Sequence, residues 1–332
     1  MAVIPNVITH GLMALDVYNK LEESDVQKAI KNHPRAYLLG SNGPDLFFYY
    51  NVLPWQDQNK NRIVTGYGET VHTRHINDFY NTAAKTIVEN KDERRREILT
   101  AYLAGHFMHW SLDSLGHPFI FYRGGEIAGE TQYWHFRYES MLDSLMVLYV
   151  KQRRLEDINI EKFVDVDDEE RRVISTFYQS ILKTVFDIHI STSVVDSCIR
   201  SFKTTLRFLF DPHNIKTPII RMYENYKGKP WAYTSHVVNS NIDAEYDVLN
   251  LKKEAWCNPT NLEDVSHLSF IEIYDQSVEQ GVVLIESLNS FLKGETVSFD
   301  PLLQNRQYDT GRPVGDVMKY YGSIYEHNKE AI

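Results

Sequence analysis

Apolar positions recur at helical spacing over most of the chain, and no stretch alternates convincingly in the manner of a strand. Residues 8–22 form one amphipathic segment, with His10 in its first turn. Ser24 is placed as an N-cap for the short segment that follows. Over 33–54 the pattern changes: Gly40, Gly43 and Pro44 interrupt it and set Asp45 at the start of a new segment. Residues 55–67 are polar and read as a surface loop. Helical periodicity returns over 69–90, with Val71, Ile76, Phe79 and Ala83 on the apolar side. A central helix covers 92–115, opened by Asp92 and Glu93. It is expected to close at His117-Pro118, because the residue before a proline avoids the helical region. A partner helix spans 131–153, and further helices are expected at about 167–190, 193–210, 266–293 and 314–328. Between them 211–262 reads as loop, carrying Pro212, Pro218, Pro230 and Pro259. The expectation is an all-α, multi-helix fold. Residues 1–150 form one helical region and 151–332 a second packed on it, or both belong to one continuous domain.

The central helix carries more than packing residues. His106, His109, Asp113 and His117 stand in one narrow stripe, because a helix advances about 100° per residue. On the partner helix His135 and Glu139 repeat the i, i+4 spacing. The neighbours are apolar, and a buried charge needs a partner. Imidazole and carboxylate are the ligands zinc takes at catalytic sites, so the stripe reads as a metal ladder. Further candidates lie outside it: His10, Asp45, and either His72 or His75. Eight converging groups exceed one ion's needs and suit two or three with shared carboxylates. Asp113, with histidines on both sides, is the natural bridge. His106 is read as a supporting histidine behind the ligands.

Composition narrows the partners. The 332 residues carry a formal net charge of −10, which argues against long nucleic acids and against broad electrostatic binding to an anionic membrane. A local basic patch is compatible with that total. Cys198 and Cys257, the only cysteines, have no paired spacing and read as ordinary thiols. The N-terminus lacks a basic stretch followed by a long apolar run, and no window matches a transmembrane helix. A cytoplasmic chain is expected. The Phe47–Tyr50 aromatic run reads as core or as the wall of a substrate pocket, and Arg94–Arg96 as a solvated helix face.

An N-terminal histidine, a Gly-Pro-Asp loop, His-x-x-x-Asp followed by His117-Pro118, and then His-x-x-x-Glu occur in order. Together they resemble the zinc-dependent phospholipase C family, which is related to the zinc-dependent single-strand nucleases. The resemblance covers about residues 8–140. It implies a mostly helical fold around a multinuclear zinc site. Asp45, His72, His109 and Asp113 correspond to a first zinc set, and His117, His135 and Glu139 to a second. His10 and the bridging Asp113 correspond to part of a third, with Asp45 as ligand, general base or both. It also prefers His72 to His75, because the family's histidine opens such a helix. In secreted members a tryptophan at the processed N-terminus completes the third set. No tryptophan precedes His10 here, so two or three zinc ions are expected. Choline-selective members place an aromatic directly after the Asp45 equivalent, whereas Leu46 follows here.

The implied function is phosphodiester hydrolysis of phospholipase C type, zinc-held hydroxide attacking phosphorus, on a phosphoester with phospholipid as one candidate. A nuclease or nucleotidase on the same site is the alternative within enzymes. A metal-binding helical scaffold with little catalysis is the alternative outside them.

Overall fold

The structure, a computed structural model, describes residues 6–53, 55–129 and 131–325. Its organising element is α6 (Glu93–Gly124), and from Ile98 onward only Leu115 and Tyr122 are even partly exposed. A helix buried on all sides must be surrounded. Against it lie α1 (Val7–Lys20), α2 (Asp25–Asn32), α3 (Pro34–Gly40), α5 (Ile76–Glu89), α7 (Gln132–Lys151), α8 (Asp168–Phe186) and α11 (Phe270–Leu292). Outside this shell, α4 (Gln58–Thr73) and α9 (Thr192–Leu209) flank a 3-10 turn at Gly43–Tyr49 that itself touches α6. The fold is mostly helical, as the periodicity predicts. Among the described residues no helix is long and apolar enough to cross a membrane.

Local chemistry sets the helix starts. Ser24 accepts from the Gln27 amide at 3.1 Å and Asp92 from the Arg95 amide at 3.1 Å, both as N-caps. The closest crossing is α3 on α6. A Cβ on Gly105 would lie 2.0 Å from the Tyr37 carbonyl oxygen, so only glycine lets the two backbones meet there.

Several sequence expectations are corrected. The polar stretch 55–67 is not all loop: Asp57 accepts from the Asn59 and Lys60 amides and starts α4 at Gln58. The helix expected over 69–90 is two, parted at His75, whose left-handed φ of 53° turns the chain. Pro118 does not end α6. Phe119, Ile120 and Phe121 are buried beyond it, and their packing outweighs the roughly 3 kcal/mol that an interior proline costs.

Residues 211–262 hold α10 (Thr217–Lys227), opened by Pro218 in its first turn. Two small sheets also occur. β1 (Phe210–Asp211) pairs in parallel with β2 (Val238–Asn239), and β3 (Trp256–Asn258) antiparallel with β4 (Asn261–Ser266). The last of the expected helices is absent: residues 314–325 are not helical, and 326–328 lie outside the described residues. That segment instead spends its amides on other parts of the chain. Lys319 and Tyr320 donate to the Pro259 carbonyl, and Ile324 to that of Arg123. The final short helix is α12 (Asp300–Leu303).

Candidate metal centre

Four elements converge on one buried point. α6 supplies His109, Asp113 and His117 from its most enclosed stretch. α1 brings His10, the 3-10 turn brings Asp45, and α4 brings His72 from its last turn. All six side chains are buried. The placement of His10 depends on α7: Asp143 accepts from the amides of Asn6, Ile8 and Thr9 and from the Thr9 hydroxyl at 2.7 Å. This carboxylate caps α1 from a neighbouring helix and offsets the free N–H groups at its start. The placement of Asp45 depends on Gly43. Its φ is +47°, and a Cβ there would sit 2.2 Å from the His109 ring.

Asp113 is the meeting point. One oxygen is 3.1 Å from His10 Nε2 and 3.5 Å from His117 Nε2. The other is 3.0 Å from His109 Nε2 and 4.0 Å from His72 Nε2. Asp45 Oδ1 lies 3.1 Å from His72 Nε2 and 3.6 Å from His109 Nε2. His10, His109 and Asp113 form one group with ligand atoms all within 4.8 Å, and Asp45, His72 and His109 form another. His117, His135 and Glu139 form no group of that tightness among the described residues. His135 Nε2 stands 3.6 Å from Glu139 Oε1.

Both oxygens of Asp113, Asp45 Oδ1, His109 Nε2 and Glu139 Oε2 are buried yet have no hydrogen-bond partner of acceptable geometry. Buried polar atoms are nearly always satisfied, and here several ligand-type atoms that face one another are not. A cation satisfies such a set, and a donor set of imidazoles and carboxylates is one that zinc accepts.

The outer nitrogens are fixed in the manner of metal-site histidines. His72 Nδ1 is 2.8 Å from the Gly68 carbonyl oxygen and His135 Nδ1 is 2.8 Å from that of Gly125, which leaves each Nε2 lone pair facing inward. His117 Nδ1 lies 3.3 Å from Asp309 Oδ1.

Without a cation, burial and ion pairing oppose each other across the cluster. Burial resists charge on His109, but Asp113 and Asp45 outweigh it and raise its pKa to about 10. Burial resists charge on His117 too, yet Asp113 and Asp309 raise it to about 9. Burial also opposes ionisation of Asp113 and Asp45, but the facing histidines hold both carboxyls below the usual range. At His10 and Glu139 burial wins, lowering the histidine and raising the acid.

The remaining candidates fall outside. His75 is exposed and pairs with Asp78 at 2.9 Å. His106 is buried behind the cluster, its Nδ1 2.9 Å from the Tyr80 hydroxyl. Cys198 is buried on α9, distant in sequence from every candidate ligand. Sequence reasoning missed Tyr308 and Asp309. Tyr308 donates its amide to the His72 carbonyl at 3.1 Å, lays its ring 4.8 Å from the His72 ring, and shares a hydrogen bond with Tyr80. Both come from an irregular segment after α12, with no periodic or motif signal to mark them.

The helices bring together two groups of buried histidines and carboxylates, one of His10, His109 and Asp113 and one of Asp45, His72 and His109, of the kind that hold a metal ion. The family model for zinc dependent phospholipase C matches residues 9–188, more than half of the chain. The chain belongs to that family. No curated protein and no solved structure matches it.

Proposed function

We propose that the protein is a zinc-dependent phosphodiester hydrolase of phospholipase C type. The observation that supports this most strongly is the set of buried, unpartnered oxygens and nitrogens centred on Asp113, inside a chain of that family. Asp45, His72, His109 and Asp113 would hold one ion. His117, His135 and Glu139 would hold a second, and His10 with Asp113 would contribute to a third. Zinc held there supplies a Lewis acid for the phosphoryl oxygens and lowers the pKa of water to about 7.

The chain's own residues do the rest. Asp113 turns one oxygen toward His10 and His117 and the other toward His109 and His72, so it would be the carboxylate shared between ions. Asp45 is held ionised by His109 and His72 against burial, which suits a ligand that also accepts a hydrogen bond from the attacking water. Tyr308 packs its ring against that of His72 and donates its amide to the His72 carbonyl, which holds the ligand in place. Residues 1–150 supply the ligands, and 151–332 act with them as one body, since Tyr308 and Asp309 complete the surroundings of His72 and His117.

The test is hydrolysis of a soluble phosphocholine diester and of a 3′-nucleotide by zinc-loaded and chelator-treated protein. The proposal expects zinc-dependent cleavage of the diester. Preference for the nucleotide would make the chain a nucleotidase, and zinc binding without either activity would make it a scaffold.

A further inference from the structure

Helix α10 is built inside out. Ile219, Met222, Tyr223 and Tyr226 follow i, i+3, i+4, i+7 spacing and so share one face, the arrangement that ordinarily marks the side toward a core. Here that face looks outward: Ile219 is 63% exposed, Met222 69% and Tyr226 82%. Ile215, just before the helix, is 68% exposed and extends the stripe. The inward side carries polar groups beside a single apolar residue, Ile220, that packs on the core. Glu224 is 1% exposed and accepts from the Thr234 amide at 2.6 Å and hydroxyl at 2.7 Å. Thr217 is buried and donates to Asp211.

Charge on this segment is one-sided. Between 211 and 231 the acids are Asp211 and Glu224, both buried and committed to hydrogen bonds within the fold. Arg221, Lys227 and Lys229 are exposed, so the accessible charge is basic, in a chain of net charge −10. The helix also connects to the candidate metal centre. Arg221 lies over the Trp231 ring at 5.3 Å, and Trp231 packs on Trp134 with centroids 5.8 Å apart. Trp134 immediately precedes His135. The whole segment falls outside the residues matched by the family model.

We propose that α10 with its flanks is an interfacial docking helix for the surface of an anionic phospholipid bilayer. A solvent-facing apolar stripe with aromatic residues, bordered by cations, is the composition of helices that lie in the headgroup region. Each exposed cation adds attraction to an anionic leaflet, and the tyrosines are suited to its polar boundary. Docking deepens the phospholipase reading, since α10 reaches Trp134, the residue before His135, through Trp231, but it is measured without catalysis.

The experiment is co-sedimentation of the full chain with neutral phosphatidylcholine vesicles and with vesicles containing 30% phosphatidylglycerol by design. Three proteins are compared: wild type, Ile219→Ser/Met222→Ser/Tyr226→Ser, and Lys227→Glu/Lys229→Glu. Wild type is expected to partition at least about tenfold more onto the anionic vesicles, with the preference weakening in salt. Each variant is expected to lose about tenfold or more of that partition. Hydrolysis of a soluble diester and circular dichroism, both unchanged, show that the variants remain folded. Equal partition of wild type and both variants, or no partition of wild type, overturns the proposal. So does a wild-type dimer that the serine variant converts to monomer, which makes the stripe a protein interface. Vesicle binding in a protein inert toward every diester leaves docking intact and rejects the phospholipase reading.

Discussion

His117 Nδ1 lies 3.3 Å from an oxygen of Asp309, a carboxylate 192 positions further along the chain. His117 thus turns Nδ1 toward Asp309 and Nε2 toward Asp113. Carboxylate–histidine pairs of this kind orient a metal ligand and raise its basicity, and their loss typically costs about 10–100-fold in metal affinity or activity. Asp309→Asn should therefore weaken binding of the ion held by His117 by about that factor while leaving the fold intact. Zinc titration with a competing chelator checks this. Unchanged affinity for every ion would remove Asp309 from the site.

Gly43 controls two ligands at once. Its φ of +47° and the 2.2 Å gap to the His109 ring leave no space for a methyl group. Gly43→Ala should destabilise the protein by about 1–3 kcal/mol, through left-handed backbone strain and displacement of His109. Zinc affinity should fall with it, because Asp45 is two residues away. Denaturant unfolding of metal-free and zinc-loaded protein separates the two effects. A variant as stable as wild type in both states would contradict the geometry.

Zinc loading should release protons. Asp113 and its neighbours overcome burial to lift His109 to about 10 and His117 to about 9, so both are protonated at pH 7 when no metal is bound. The sign follows from folded pKa values above the ordinary 6.5. In the metal-free protein these pairs add stability that is fully present below pH 6.5, and it is lost as pH rises through about 9 and 10. Zinc competes with the same protons, so its apparent affinity should climb from pH 6.5 toward that range and then level. Calorimetry in two buffers of different ionisation heat should register release of about two protons from these histidines at pH 7. A buffer-independent heat would show that the cluster is already neutral.

How far the sequence revealed the site depended on how local each signal was. The stripe of His109, Asp113 and His117 is written in one helix, and 3.6-residue geometry alone aligns it. The choice between His72 and His75 is not local. It is made by the helix break at His75, which sends that ring to solvent beside Asp78. The start of α4 is local, a cap by Asp57 on the Asn59 and Lys60 amides, whereas the continuation of α6 through Pro118 depends on packing that a short segment does not carry. Burial of Phe119 and Phe121 holds α6 together past its proline. Tyr308 and Asp309 reach the cluster only through tertiary folding of an aperiodic segment, and no spacing rule points to them. The inverted face of α10 was hidden in the same way, because its prolines read as loop.

Whether Asp113 is shared between ions is decided by a single comparison. Wild-type protein and Asp113→Asn, each purified without added metal, are measured side by side for bound zinc per chain and for phosphodiesterase activity. A bridging carboxylate predicts two or three zinc ions in wild type, loss of more than one on substitution, and activity down by about a thousandfold, on the scale of removing a group that holds the charge-stabilising centre. Full zinc content with full activity in Asp113→Asn would contradict it.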